Sequence, residues 1–128
     1  MTSERSSATV LIAEDEPAVR QITRLLLERA GYAVLESTNG QEAVAAIEDH
    51  PAEIDVLLLD VMMPVMTGAE AFPRLRQIRP DLPIIFVTGY GEREFALHLV
   101  APTAYTSVLK KPASIDALTG EIARALGT

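Results

Sequence analysis

Short apolar runs alternate with amphipathic stretches along most of the chain. The first run, Val10 to Ala13, reads as a strand and leads into Glu14-Asp15-Glu16-Pro17, where Pro17 suits the first turn of a helix because no amide donor is needed there. Val19, Ile22, Leu25 and Leu26 then recur at helical spacing and predict one buried face, with Gly31 as the stop. A second strand, Ala33 to Glu36, is broken by Asn39-Gly40 and followed by a short helix through Ala43, Val44 and Ile47. Ile54 to Asp60 is the third strand, apolar on both faces as a central parallel strand should be. A helix from Gly68 to about Arg79 has to hold Pro73 in its first turn or kink there. Strand four is Ile84 to Thr88, and after Gly89-Tyr90-Gly91 a helix is expected around Glu92 to Val100. A weaker strand near Ser107 to Lys110 precedes a last helix, capped by Ser114, with Ile115, Leu118, Ile122 and Leu126 inward. Gly120 within that helix costs roughly 1 kcal/mol against Ala, so the helix depends on packing. Regular alternation of strand and helix points to an α/β fold, an open parallel sheet wound with helices on both faces.

Composition narrows the function classes. A chain of 128 residues fits one domain, and 48% hydrophobic with 23% charged residues places it away from the disordered class. The formal charge of -7 argues against direct binding of nucleic acid, which needs a clustered excess of Lys and Arg. Apolar runs of about four to six residues fall far short of the roughly 20 that cross a bilayer, and the polar start lacks a secretion signal, so no membrane partner and a cytoplasmic location are expected. Without cysteine there is neither a disulfide nor a thiolate metal site.

The chemistry lies at the strand ends. In a sheet of this kind ligands bind beyond the carboxyl ends of the strands. Those ends carry Glu14 and Asp15 after strand one, Asp60 after three, Thr88 after four, and Lys110 and Lys111 after five. Carboxylates a few ångströms apart raise one another's pKa unless a cation intervenes, and with oxygen donors alone Mg²⁺ is the expected ion. A carboxylate beside such a metal can attack phosphorus and become an aspartyl phosphate, while a lysine and a threonine hydroxyl orient the transferring oxygens.

With these residues in this order, the chain resembles the receiver domains of two-component response regulators from about Val10 to Leu126. The motifs that carry the resemblance are Glu14-Asp15, Asp60 within Asp-Val-Met-Met-Pro with the following Gly68, Thr88, and Lys111 before Pro112. The resemblance implies a flavodoxin-like fold with a doubly wound five-stranded parallel sheet, strand order 2-1-3-4-5, the order also of the chemotaxis receiver. It implies that Asp60 accepts a phosphoryl group from a histidine kinase or histidine phosphotransfer protein, with Thr88 and Lys111 assisting. Mg²⁺ would be held by Asp15 directly, Glu14 through water, Asp60, and the main-chain carbonyl of Met62, and the Lys111-Pro112 peptide would be cis. Such a domain is a phosphoacceptor that signals by docking, catalyses only its own phosphorylation and dephosphorylation, and in some relatives pairs as a homodimer. Residues 1–8 are expected to be a flexible segment and 9–128 the receiver domain. Lys110 should face away from Lys111, and Arg20, Gln21 and Arg24 on helix one should recognise partners.

Two departures from the family pattern stand out. Relatives usually place Tyr or Phe three positions before the site lysine, where this chain has Val108, so a switch centred on Thr88 should be weaker or use Tyr90 or Tyr105. Met62 and Tyr90, at the positions bordering the hydrolytic water's path, offer no acid or amide to position it, and slow loss of the phosphoryl group is expected. Two rival readings are weaker. A phosphatase with an aspartate nucleophile needs a second acid where Met62 stands, and a docking-only module would have no use for the complete set Glu14, Asp15, Asp60, Thr88 and Lys111. The Met1 start and polar tail favour a complete chain, whereas Thr88-Gly89-Tyr90 is similar to receivers within hybrid kinases.

Overall fold

The apolar run that ends at Asp60 becomes the central strand. In the computed structural model, which describes residues 8–89, 105–111 and 113–127 except for the Thr88 side chain, β3 (Val56–Asp60) is buried at every position. β1 (Thr9–Ala13) and β4 (Ile84–Thr88) flank it, with β2 (Ala33–Ser37) and β5 (Thr106–Lys110) at the edges. All pairs are parallel and the order is β2-β1-β3-β4-β5, as expected. Pairing of Ala13 with Leu59 and of Asp60 with Val87 brings the carboxyl ends of β1, β3 and β4 to one edge.

Alternation of side chains along the strands divides the core in two. Leu11, Leu57, Leu59, Ile84 and Phe86 pack on α2 (Gly40–Asp49) through Ala43, Val44 and Ile47, and on α3 (Gly68–Ile78) through Ala71 and Leu75. Val10, Ile12, Val56, Leu58 and Ile85 pack on α1 (Pro17–Arg29) through Leu27 and on α4 (Ile115–Leu126) through Leu118 and Ile122. These are the four helices among the described residues. The helix expected around Glu92 to Val100 lies outside them.

The local signals explain most helix ends. Asn39 accepts a bond from the Glu42 amide, Ser114 accepts one from Ala117, and Thr67 with Glu70 forms a reciprocal capping box. Gly31 and Gly127 adopt positive φ of 102° and 77° just beyond α1 and α4, a conformation that glycine enters without a Cβ penalty. Gly120 lies on an exposed stretch of α4, and a Cβ there would meet nothing within 4 Å.

Two expectations need correction. The face of α1 carrying Val19, Ile22 and Leu25 is not core: those side chains are 38%, 58% and 47% exposed, and Leu27 is the helix's buried residue. Leu27 lies in the core and Arg20 is half-buried, its guanidinium reaching Glu36 on β2 and the Glu14 carbonyl. Pro73 sits in the second turn of α3, not the first, on an exposed position where the carbonyl left without an amide partner can face water. Strand boundaries shift by a residue or two from those expected, as for β3, which begins at Val56 and not Ile54.

Candidate functional site

β1 delivers Glu14 and Asp15 to the carboxyl edge of the sheet, β3 ends in Asp60, and Lys111 follows β5. Carboxylate oxygens of Glu14, Asp15 and Asp60 all lie within 4.8 Å of one another. Lys111 Nζ donates to Glu14 Oε1 at 2.9 Å and to Asp60 Oδ2 at 3.0 Å, binding three distant parts of the sequence into one cluster. Glu14 and Asp60 are each 5% exposed, so this charge is held largely out of water. Lys110, the last residue of β5, is exposed.

Asp60 has a carboxyl pKa pushed up to about 6, first because burial disfavours its charge and further because Glu14 is beside it; the Lys111 ammonium pulls the other way without cancelling the rise. Lys111 is half-buried, which by itself would lower its pKa, yet the bonds to Glu14 and Asp60 outweigh that and raise it. A buried carboxylate so poorly compensated, grouped among the described residues with two further carboxylates, fits a hard divalent cation better than a softer one.

The loop between β3 and α3 is held from two sides. Gly68 N–H donates to the Val61 carbonyl at 2.9 Å, and a Cβ on Gly68 would stand 2.1 Å from the Asp60 carbonyl oxygen, so only glycine permits the close approach. Gly40 N–H donates to the Met66 carbonyl at 2.7 Å, tying the start of α2 to the same loop. Between them Val65 takes φ of 68°, a left-handed conformation unfavourable for a β-branched residue, and is 76% exposed. Strain of this kind concentrates where surrounding structure fixes a functional loop.

Met62 is half exposed, and its amide makes a long 3.4 Å contact to Asp60 Oδ1. Val108 pairs with Phe86 in the sheet and packs, partly buried, against the core that also holds Phe72. Thr88 is the last residue of β4 and pairs with Lys110, while its hydroxyl, Tyr90 and Pro112 lie outside the described residues. Beside α1 an open cavity of about 430 Å³ adjoins the cluster, walled by the exposed Val19 and Ile22 together with Ile12, Leu58, Val87 and Leu118 and touching Glu14, Asp60 and Lys111.

The model of the response regulator receiver domain matches residues 10–123. The chain belongs to that family. Over 117 residues this receiver domain is 41% identical to the sensor kinase CckA of Brucella abortus (strain 2308), covering 91% of the chain and 12% of that protein. It is 36% identical over 117 residues to the response regulator receiver protein CpdR of the same organism, covering 91% of the chain and 95% of that protein. Among solved structures, a response regulator receiver domain protein from Clostridium thermocellum superposes with a TM-score of 0.86 at 27% identity, covering 94% of each chain. The receiver domain thus spans a small part of one relative and nearly all of another. Membership makes it a phosphoacceptor signalling domain of two-component systems, a family whose members bind Mg²⁺ in an acidic pocket.

Sequence reasoning did not see the parts that hold the site. Arg20, expected on a recognition face, bonds to the Glu14 carbonyl at 2.7 Å and to Glu36 at 2.9 Å. Arg24 pairs with Glu36 and Glu28. The signal available was an arginine one turn into the helix that follows an acidic strand end, together with a lone acid on the neighbouring strand.

Proposed function

We propose that Asp60 is the phosphoacceptor of this receiver domain and takes its phosphoryl group from the phosphohistidine of a sensor kinase or histidine phosphotransfer protein. The observation that carries this reading is the buried Asp60 carboxylate bonded by Lys111 and crowded by Glu14 and Asp15 at the carboxyl edge of the sheet. In the transfer an Asp60 oxygen bonds to phosphorus as the phosphorus–nitrogen bond of the donor breaks, leaving the electron pair on the imidazole.

Asp15, Asp60 and the Met62 carbonyl would hold Mg²⁺, with Glu14 acting through water because its two oxygens already accept bonds from Lys111 and the Glu16 amide. The ion supplies positive charge that offsets the acids and the incoming phosphoryl oxygens. Lys111 Nζ, 3.0 Å from Asp60 Oδ2, is in reach of a phosphoryl oxygen added there. The Thr88 hydroxyl is assigned the complementary contact from its place at the end of β4. The exposed apolar side chains Val19, Ile22 and Leu25 on α1 support docking of a protein donor beside the site. Phosphorylation then shifts an existing conformational equilibrium and changes the surface presented to a downstream protein. Cytoplasmic action is consistent with this role, and no helix among the described residues is long and apolar enough to cross a membrane.

Intact mass after incubation with acetyl phosphate and Mg²⁺ tests the reading. One added phosphoryl group is expected, absent from Asp60→Asn and from chelated samples. Absence of an adduct with both acetyl phosphate and a phosphorylated histidine donor would leave a docking module in place of a phosphoacceptor.

A further inference from the structure

Resting on the reading that the acidic cluster holds Mg²⁺, we propose that Arg20 is a positioning residue for that ion, fixing the Glu14-Asp15 peptide against β2. Glu14 lies immediately beyond β1, where the strand's own pairing ends. Its main chain is nevertheless held at both ends. The Glu14 amide donates to the Ser37 carbonyl at 3.1 Å, and the Glu14 carbonyl accepts from Arg20 Nη1 at 2.7 Å. Arg20 is in turn fixed by its Nε, which donates to Glu36 Oε1 at 2.9 Å, and by its own amide, which donates to the Glu16 carbonyl at 2.9 Å. Only 14% of its side chain is exposed, far less than the 43% of Arg24 on the same helix. Glu36 stands opposite Ile12 in the β1–β2 register, and bonds first from Arg24 and also from Arg20 hold its carboxyl below the usual range, so it remains charged at neutral pH. The planar guanidinium can bridge a carbonyl and a carboxylate at once, which a lysine ammonium on a more flexible stem does less well.

The sign of the effect separates positioning from simple electrostatics. Arg20 is a cation near an acidic cluster, and removing a like charge should strengthen the binding of a divalent cation. A residue that orients a ligand acts oppositely, because its loss lets the Glu14-Asp15 peptide move and disperses the carboxylates; losses of about tenfold in metal affinity are typical for groups that orient first ligands. Positioning therefore predicts that Arg20→Gln binds Mg²⁺ about tenfold more weakly although it has lost a positive charge, and that Arg20→Lys, which keeps the charge, is weakened as well. Arg24→Gln breaks the other pair to Glu36 without touching Glu14, and its Mg²⁺ affinity should stay within about twofold of wild type.

The experiment is calorimetric titration of the full chain and these variants with MgCl₂, with thermal midpoints and the amide NMR signals of metal-free Glu14 and Asp15 recorded beside it. Weakened Mg²⁺ binding in both Arg20 variants, with Glu14 and Asp15 signals displaced in them and unmoved in Arg24→Gln, supports the proposal. Unchanged or tighter binding in Arg20→Gln overturns it while leaving the Mg²⁺ reading intact, whereas a wild-type chain that binds no Mg²⁺ overturns that reading itself. Should Arg20→Gln fail to fold, Arg20→Lys and Glu36→Gln carry the same comparison, and unchanged Mg²⁺ affinity in both counts against the proposal.

Discussion

At the scale of the residue, the surroundings of Asp60 make its charged form costly to fold. Its folded pKa of about 6 lies above the ordinary carboxylate value of 3.8, so the protonated form is favoured by folding. A group shifted in this direction contributes stability that is complete below the unfolded pKa and is lost as pH rises through the folded one. Metal-free protein should therefore lose stability between about pH 4 and 6, and Asp60→Asn, neutral throughout, should be the more stable form above that window by on the order of 1–3 kcal/mol. Thermal unfolding of both proteins in chelator at a series of pH values measures this; a constant difference across the window would contradict it. Mg²⁺ should close the gap by stabilising wild type alone. Beside Asp60, half-exposed Met62 has no oxygen or nitrogen on its side chain to place a water for attack on phosphorus. A long-lived phosphoryl adduct is expected, and Met62→Asn should shorten its life several-fold when mass spectra are followed in time.

At the scale of the element, α4 and α1 show how differently a helix can relate to its sequence pattern. The α4 stripe is buried as its spacing predicts, with Leu118 and Ile122 in the core and Ile115 and Leu126 packed at its margin. Gly120 on the same helix meets nothing that a methyl group would touch. Gly120→Ala should accordingly raise stability by about 0.5–1 kcal/mol through helix propensity and reduced freedom of the unfolded chain, without altering Mg²⁺ affinity. Denaturant unfolding with an unchanged slope is the check. On α1 the apolar spacing misleads, because Val19, Ile22 and Leu25 face outward and two arginines meet Glu36. An amphipathic pattern reports that a helix has two faces, and a partner protein can cover the apolar one as readily as the sheet.

At the scale of the whole molecule, the question is how a change at Asp60 reaches the far surface. Val108, where many relatives place an aromatic ring, is packed against the core cluster of Phe72 and Phe86, leaving no large side chain there to swing between an outward and an inward position. The β4–β5 side is also held at its other end. Arg76 on α3 donates to the Leu82 carbonyl at 2.6 Å, to the Tyr105 carbonyl at 2.8 Å and to Thr106 Oγ1 at 2.7 Å, and lies over the Phe72 ring. Phosphorylation should therefore move β5 less than it does in receivers with an aromatic at the Val108 position. The amide shifts of residues 105–110, recorded with and without phosphorylation, decide the matter; large changes there would show that another residue serves as the switch. Val108→Tyr would be expected to enlarge the response.

The alternating apolar runs were enough to determine the sheet's class, the helices on both its faces and the positions of Asp60, Glu14, Asp15 and Lys111 at strand ends, because burial and side-chain period are local properties written in adjacent residues. Strand order followed from family resemblance, since nothing in the runs themselves says which strand pairs with which. Tertiary structure alone decided that Lys111 bridges Glu14 and Asp60, that Gly40 anchors the loop carrying Met66, and that Arg20 turns inward to the Glu14 carbonyl. Each of these joins groups far apart in the chain or turns a helix about its own axis, and a hydrogen bond of that kind exists only once packing has fixed both partners.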